Sequence, residues 1–349
     1  MPARRAQLVG TGLIGGSIGL ALRAAGWHVT GTDLDAASVA RARELGAIDE
    51  IGDDPSAELT FVATPVGTVA DIARGRSGVV TDVGSVKASI VAAVDDPAFV
   101  GGHPMAGSEQ EGVEGSRADL FRGAVWVLTP VAGTDPAAHA LVRSVVSSFG
   151  AEVVELGPER HDALVAVVSH VPHLTAASLM RLASERSEEH AALLRLAAGG
   201  FRDMTRIAAG HPGIWPDICI ENRDAILEVL DLLVGELTAM RDRIDHADRD
   251  GLLDALTRAR AARLNLPGRL AATAELAEIR LPVPDRPGVL AEITTLASEL
   301  GVNIHDLEIA HSSEGSAGVL LLIVDAGLVQ RFLDGLAARD YRASARGLE

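Results

Sequence analysis

The stretch Gly101-Gly102-His103-Pro104-Met105-Ala106-Gly107-Ser108-Glu109 sets a histidine among glycines and a proline, with a carboxylate six residues later. Core packing gives no reason for such a sequence, because it offers little apolar surface and several backbone-permissive glycines. It reads as a rigid Gly-Pro turn on a loop held by a scaffold, the usual setting of reacting side chains. Imidazole titrates near neutral pH, so a neutral His103 can serve as a general base.

Other chemistry-bearing residues lie on both sides of it. Asp82-Val83-Gly84-Ser85-Val86-Lys87 follows an apolar run and holds the only lysine of the chain; the remaining 30 of the 31 basic residues are arginine. Ser85, a hydroxyl at a strand end, can orient a neighbouring base or cap the helix expected from Val86 to Val94. Ser169-His170-Val171-Pro172-His173 places two histidines about one helical turn apart. No further cluster with metal-site spacing accompanies them, so a core or substrate-facing role is expected and no metal. Arg202 and Arg206 stand four apart, on one face of a helix, either as a solvated stripe or as a carboxylate clamp. Trp215, on the turn His211-Pro212-Gly213-Ile214, can wall a pocket or simply pack.

These residues need a frame, and the N-terminus supplies one. Ala6 to Val9 is an apolar run ending at Gly10-Thr11-Gly12-Leu13-Ile14-Gly15. Helical periodicity follows to Gly26, then a second strand from His28 to Thr32, then Asp33. Strand, glycine turn, helix, strand, acid is the context of a dinucleotide-binding fingerprint. Gly10, Gly12 and Gly15 let the backbone approach a pyrophosphate held on the N–H groups of Leu13 and Ile14 that open the helix. Asp33 would accept the adenosine ribose hydroxyls and repel a 2'-phosphate, which favours NAD over NADP. The alternation continues through a strand at 59–63, a helix opened by Thr64-Pro65, and a strand at 78–83. A helix at 135–149 and a strand at 151–156 close the unit, and such strand ends line the crevice where a nicotinamide lies.

Beyond Pro158 the chain reads as helix, with long apolar-periodic segments at 161–180, 187–199 and 217–247. They are too apolar to stand alone, so packing into a dimer or onto the first domain is expected. The helical pattern breaks near Leu264. From Ala277 a βαββαβ order follows, that of a ferredoxin-like unit.

Composition excludes several classes. A length of 349 residues implies more than one domain, and 48% hydrophobic with 23% charged residues implies a globular chain. The net charge of -17 argues against a nucleic-acid surface. The lone Cys219 excludes an internal disulfide and suits a reducing compartment. Arg4-Arg5 before an apolar run imitates a twin-arginine signal, but the glycines in that run belong to the fingerprint. No other stretch is expected to reach the apolar length that spans a bilayer, so a cytoplasmic protein without membrane contact is expected.

Taken in order, Gly10–Gly15, Asp82–Lys87, Gly101–Glu109, Ser169–His173 and Gly199–Trp215 resemble the prephenate dehydrogenase family of tyrosine biosynthesis, which includes arogenate and cyclohexadienyl dehydrogenases. The resemblance implies NAD-dependent oxidative decarboxylation of prephenate to 4-hydroxyphenylpyruvate. It makes His103 the catalytic histidine, Ser85 its contact, and Glu109 a residue that gates or orders the pocket. His170 and Trp215 become pocket residues and Arg206 the carboxylate-binding arginine, with Arg202 a basic residue of undefined role. Asp285-Arg286-Pro287-Gly288-Val289-Leu290 and Gly301-Val302-Asn303-Ile304 resemble an ACT domain. There Gly288, Val289, Leu290, Asn303 and Ile304 would form an effector site for tyrosine, or the unit would serve only to dimerise.

The expected architecture is therefore an α/β Rossmann-type NAD-binding domain (1–157), an all-α substrate and dimerisation domain (158–264), a linker (265–275) and a C-terminal α+β ferredoxin-like ACT domain (276–349), as a homodimer. Arogenate as substrate stays open, since it differs from prephenate only by an amino group in place of a keto group. A β-hydroxyacid dehydrogenase would need a catalytic lysine on the helical domain. A non-catalytic NAD and amino-acid sensor would not need Ser85, His103, Glu109 and Arg206 together.

Overall fold

The computed structural model describes residues 3–76, 78–107, 110, 112–187, 198–265, 276–284, 286–311 and 317–347. Glu109, Asp285 and the linker residues 266–275 lie outside the described residues. Contacts divide the chain into two compact units, Met1–Leu252 and Leu253–Glu349.

The first unit opens with β1 (Arg5–Val9), α1 (Leu13–Ala24), β2 (His28–Thr32), α2 (Ala36–Glu44), β3 (Glu50–Ile51), β4 (Leu59–Val62), α3 (Val66–Arg74) and β5 (Val79–Asp82). It continues with α4 (Ala88–Ala93), β6 (Phe99–Pro104), β7 (Val125–Thr129), α5 (Pro136–Ser148) and β8 (Glu152–Glu155). The eight strands form one sheet in the order β3-β2-β1-β4-β5-β6-β7-β8. All neighbours are parallel except β6 and β7. The chain reverses direction across the sheet between β1 and β4, the switch point where open α/β sheets bind ligands.

The central strands β1, β4, β5 and β6 are buried on both faces, as near-continuous apolar strands require. One core joins Leu8, Ile18, Phe61, Trp126 and Phe149, and the other joins Val62, Val69, Val80, Ile90 and Phe99. A chain with so few aromatic residues groups four of them here: Phe61, Phe121 and Phe149 surround Trp126 at 5.0–6.4 Å between ring centroids.

His103 is not on a loop. It lies within β6, whose residues are all buried, and is paired with Val127 of β7. The glycines before it serve packing: a Cβ on Gly102 would meet the Asp82 carbonyl oxygen at 2.7 Å, Thr81 Oγ1 at 3.0 Å and Trp126 Nε1 at 3.1 Å. The local sequence looked like a turn because its glycines satisfy a tight strand crossing that only tertiary structure reveals.

The helical part is α6 (Pro158–Val165), a π-helical turn (Ala166–His170), α7 (Val171–Ser187), α8 (Gly199–Thr205), α9 (Trp215–Glu221), α10 (Arg223–Asp245) and α11 (Arg249–Leu264). The helix expected over 217–247 is interrupted at Asn222, whose side chain bonds elsewhere. The face expected to carry Arg202 and Arg206 is also broken: α8 ends at Thr205 and Arg206 begins a 3-10 turn, Arg206–Ala209.

Among the described residues the helix Pro158–Glu185 is long and apolar enough to cross a bilayer, its most apolar 18-residue stretch having mean hydropathy 1.5, contrary to the expectation of no such stretch. Its inward face carries His161, Asp162 and His170, all buried and hydrogen-bonded within the protein. That face belongs to a packed helix, because ionisable groups gain such partners only inside folded protein.

The second unit holds β9 (Leu276–Pro284), α12 (Val289–Glu299), β10 (Ile304–His311), β11 (Ala317–Asp325), α13 (Val329–Ala337) and β12 (Ser344–Gly347). The antiparallel sheet runs β10-β11-β9-β12 and packs Ile279, Leu281, Leu320 and Leu322 against Ile293, Leu296, Phe332 and Leu336.

The crowding around Gly102 gives a direct expectation. Gly102→Ala overpacks the crossing and should lower stability by about 1–3 kcal/mol. Gly107→Ala, with nothing within 4 Å of its Cβ position, should leave the thermal midpoint unchanged. Equal midpoints for the two variants would contradict this packing.

Candidate active site

The site is built at the carboxyl ends of β4, β5 and β6. Asp82 closes β5, and both its oxygens are committed: Oδ1 accepts the Gly102 N–H at 3.0 Å and Oδ2 accepts the Gly84 N–H at 2.8 Å. Lys87 donates its ammonium to the same Oδ2, and both side chains are fully buried. Burial pushes the Lys87 pKa down and Asp82 opposes that shift. An ion pair in this setting holds geometry more than it adds stability, and removing one partner costs about 3–5 kcal/mol. The sole lysine thus fixes β6 through Asp82, directly before His103.

The N-terminus of α4 is capped from another element. Ser85 is half-buried on the preceding connection, yet Lys87 is the N-cap residue. The Lys87 and Ala88 N–H groups donate to Asp162 Oδ1 and Oδ2, each at 2.8 Å. Ser85 is therefore not the cap that local sequence suggested. No hydrogen bond joins it to His103 among the described residues.

His103 instead meets His161. Its Nδ1 lies 2.8 Å from His161 Nε2, and His161 Nδ1 lies 2.8 Å from Asp162 Oδ1. Burial is the main reason that the His103 pKa falls well below 6.5, with the charges of His161, Lys87 and His170 adding to it. Sequence reasoning missed His161 and Asp162. A His-Asp pair on the inward face of an apolar helix was the available signal.

His170 joins the same cluster. On a straight α-helix, residues nine apart point about 180° away from each other. The intervening π turn underwinds the helix, and both His161 and His170 end up buried. Asn222 Nδ2 donates to the Asp162 carbonyl at 2.9 Å and faces His170 Nδ1 at 3.1 Å. An amide nitrogen only donates, so His170 Nδ1 accepts and the neutral ring carries its proton on Nε2. That Nε2 is buried with no hydrogen-bond partner among the described residues, a donor ready for an acceptor on a ligand. Trp215 stacks on His173 at 3.5 Å between centroids and meets His170 edge-on at 6.2 Å.

Arg206 and Arg202 are both exposed. The turn bearing Arg206 packs against α7, the helix that carries His173. In the second unit Gly288 has φ +94 and begins α12, Val289 is a core residue and Leu290 is exposed. Asn303 contacts His305 at 3.2 Å, and Ile304 packs on the core.

The β1–α1 turn fits a dinucleotide. Gly10 has φ +95, and a Cβ there or on Gly15 would strike backbone oxygen. Gly12 faces open space, and no side chain caps the first turn of α1, so the Leu13, Ile14 and Gly15 N–H groups remain for a phosphate. Asp33 closes β2 and anchors this turn by accepting the Thr11 N–H at 2.7 Å and the Thr11 hydroxyl at 3.0 Å. Thr64 approaches Gly10 from the β4–α3 connection, where Pro65 is the N-cap. These residues suit NAD: glycine backbone for the pyrophosphate, and a carboxylate where a 2'-phosphate would be repelled.

The buried histidines make stability pH-dependent. His170 is held neutral by burial, its pKa lowered from 6.5 to about 4, and His103 moves the same way. Below 6.5 the unfolded chain binds protons that the folded chain refuses, so stability falls as pH drops from 6.5 toward 4. The urea midpoint should drop between about pH 7.5 and about pH 5. His170→Asn should show a smaller drop; an equal drop would mean that His170 is not held neutral.

Residues 18–155 match the family model described as prephenate dehydrogenase, nucleotide-binding domain, and residues 157–258 match prephenate dehydrogenase, dimerization domain. The chain is 35% identical to the prephenate dehydrogenase of Bacillus subtilis, over 90% of each sequence. It is 33% identical to the cyclohexadienyl dehydrogenase of Zymomonas mobilis, over 74% of this chain and 94% of that one. The crystal structure of prephenate dehydrogenase from A. aeolicus, in complex with hydroxyphenyl propionate and NAD+, superposes with a TM-score of 0.72 at 32% identity, covering 76% of this chain and 99% of that one. With both of its domain models matched, and with relatives above 30% identity along most of its length, the chain belongs to the prephenate dehydrogenase family.

Proposed function

We propose that this protein oxidatively decarboxylates prephenate to 4-hydroxyphenylpyruvate, using NAD. The observation that carries the reading is buried, neutral His103 on β6, its Nδ1 engaged by His161 and its Nε2 left as the atom that can act on a substrate hydroxyl. NAD, held by Gly10, Gly12, Leu13, Ile14, Gly15, Asp33, Thr64 and Pro65, supplies the hydride acceptor when bound.

His103 draws off the ring hydroxyl proton, and carbon dioxide departs as the ring aromatises. Aromatisation drives the reaction, so the protein chiefly aligns the reacting groups and excludes water. Ser85, on the connection after β5, is the proposed hydroxyl that contacts and orients His103 when substrate is bound. His170 donates its Nε2–H to an oxygen of the substrate, within the wall formed by Trp215. Arg206 binds a substrate carboxylate, which a chain of net charge -17 needs a local cation to attract. Glu109, outside the described residues, orders the pocket entrance.

In the reading proposed here, residues 1–157 bind NAD, 158–264 form the substrate and dimerisation domain, and 276–349 are an ACT regulatory domain reached by the linker 265–275. A homodimer is supported by exposed Leu232, Val234, Leu237 and Ile244 on α10, inside the segment that matches the dimerization domain. Tyrosine is the proposed effector, at Gly288, Val289, Leu290, Asn303 and Ile304. The βαββαβ order and the left-handed Gly288 turn support that assignment. A cytoplasmic location agrees with the single cysteine.

Two experiments test this reading. NADH formation followed with prephenate and arogenate side by side should favour prephenate, and His103→Asn should lower kcat by about 10²–10⁴-fold with little change in KM. No turnover of prephenate by the wild type would overturn the function, and an unchanged kcat would remove His103 from it. Titrating tyrosine should inhibit turnover; neither inhibition nor binding would overturn the regulatory role.

A further inference from the structure

The contacts behind His103 dictate where its proton sits. Asp162 is an acceptor on every side: Oδ1 takes the Lys87 N–H, Oδ2 the Ala88 N–H, and the His161 ring approaches Oδ1 at 2.8 Å. A carboxylate so used can only accept, so His161 Nδ1 carries hydrogen and donates. A neutral His161 then has its lone pair on Nε2, the atom 2.8 Å from His103 Nδ1. His103 must therefore donate from Nδ1, which leaves the Nε2 lone pair for a ligand. With His161 neutral this is the one assignment that satisfies all three groups, whereas a doubly protonated His161 would donate to His103 Nδ1 and place the His103 proton on Nε2.

We propose that His161 and Asp162 are positioning residues that lock His103 as its Nδ1–H tautomer, and that His161 receives the Nδ1 proton when His103 Nε2 takes one from the substrate. The second half rests on the prephenate reading above. The bookkeeping closes. The substrate O–H bond breaks and an Nε2–H bond forms on His103, while the His103 Nδ1–H bond breaks and an Nε2–H bond forms on His161. One positive charge results, and it lies on His161. Asp162 stays ionised, its negative charge against the new imidazolium.

The environment favours that destination. A charge left on His103 would be buried near the Lys87 ammonium, with no carboxylate in hydrogen-bond contact among the described residues. On His161 the same charge touches Asp162 directly. The titratable groups that face the pair are Asp82 from β5, Lys87 before α4, Asp162 from α6, and the neutral His170 ring from the π turn.

The test combines a spectrum with kinetics. In ¹⁵N-histidine-labelled protein at neutral pH, without substrate or NAD, His103 should show a protonated Nδ1 and an unprotonated Nε2, assigned by loss of its signals in His103→Asn. His161→Gln keeps an acceptor oxygen for His103 but cannot hold a proton. It should lower kcat by about 10²-fold and leave KM within about twofold. The rate against D2O fraction should change from curved in the wild type to linear in His161→Gln. An Nε2–H tautomer in the wild type would overturn the lock, even if His161→Gln fails to fold. Wild-type kcat in a folded His161→Gln would overturn the proton transfer. Absence of prephenate turnover by the wild type would instead remove the functional reading and leave the tautomer result standing.

Discussion

The Asp162 carboxylate is the constraint on which the site depends. It is buried and accepts three donors: two backbone N–H groups at the start of α4 and the ring of its neighbour His161. Its backbone carbonyl takes a fourth, from Asn222 at the junction of α9 and α10. One residue of the first helix after the sheet thereby joins the β5–α4 connection, β6 and the later helices. A half-satisfied buried network costs more than an apolar core, whereas a complete one fixes a single arrangement. Asp82 and Lys87 do the same from the other side, so β6 and its histidine are held between two buried carboxylates.

That network makes two chemically opposite groups from one residue type. His103 is bonded through Nδ1 to His161, whereas His170 accepts at Nδ1 from Asn222 and presents an N–H at Nε2. Environment divides the roles, as when paired titratable groups are driven to act as base and donor in one pocket. Burial keeps both rings neutral, and the cost appears in the fold as sensitivity to acid.

Much of the frame was legible in the sequence, because its signals are local. The Gly10–Gly15 turn and the strands on either side of its helix read correctly from spacing, since a glycine that cannot carry a Cβ leaves its mark at a single position. The βαββαβ order of the C-terminal unit read for the same reason, from strand periodicity and the helix stop at Gly301. His103 and His170 were identified as residues, but not their surroundings. His103 looked like part of a turn, because Gly102 answers to Asp82, Thr81 and Trp126, which local sequence does not show. Ser85 looked like a cap, because the true cap reaches the Lys87 N–H from 75 residues away. The helix break at Asn222 and the π turn at 166–170 were hidden for a related reason: both occur where polar groups serve distant partners.

The central claim is that this network holds His103 neutral and basic at Nε2 in the free enzyme. The pH dependence of kcat/KM for prephenate oxidation reports that ionisation most directly, because the free-enzyme base must be unprotonated to act. Burial and the neighbouring cations lower the His103 pKa, so the acid limb should fall well below 6.5, with a plateau through neutral pH. An acid limb at or above 6.5 that vanishes in His103→Asn would contradict the account.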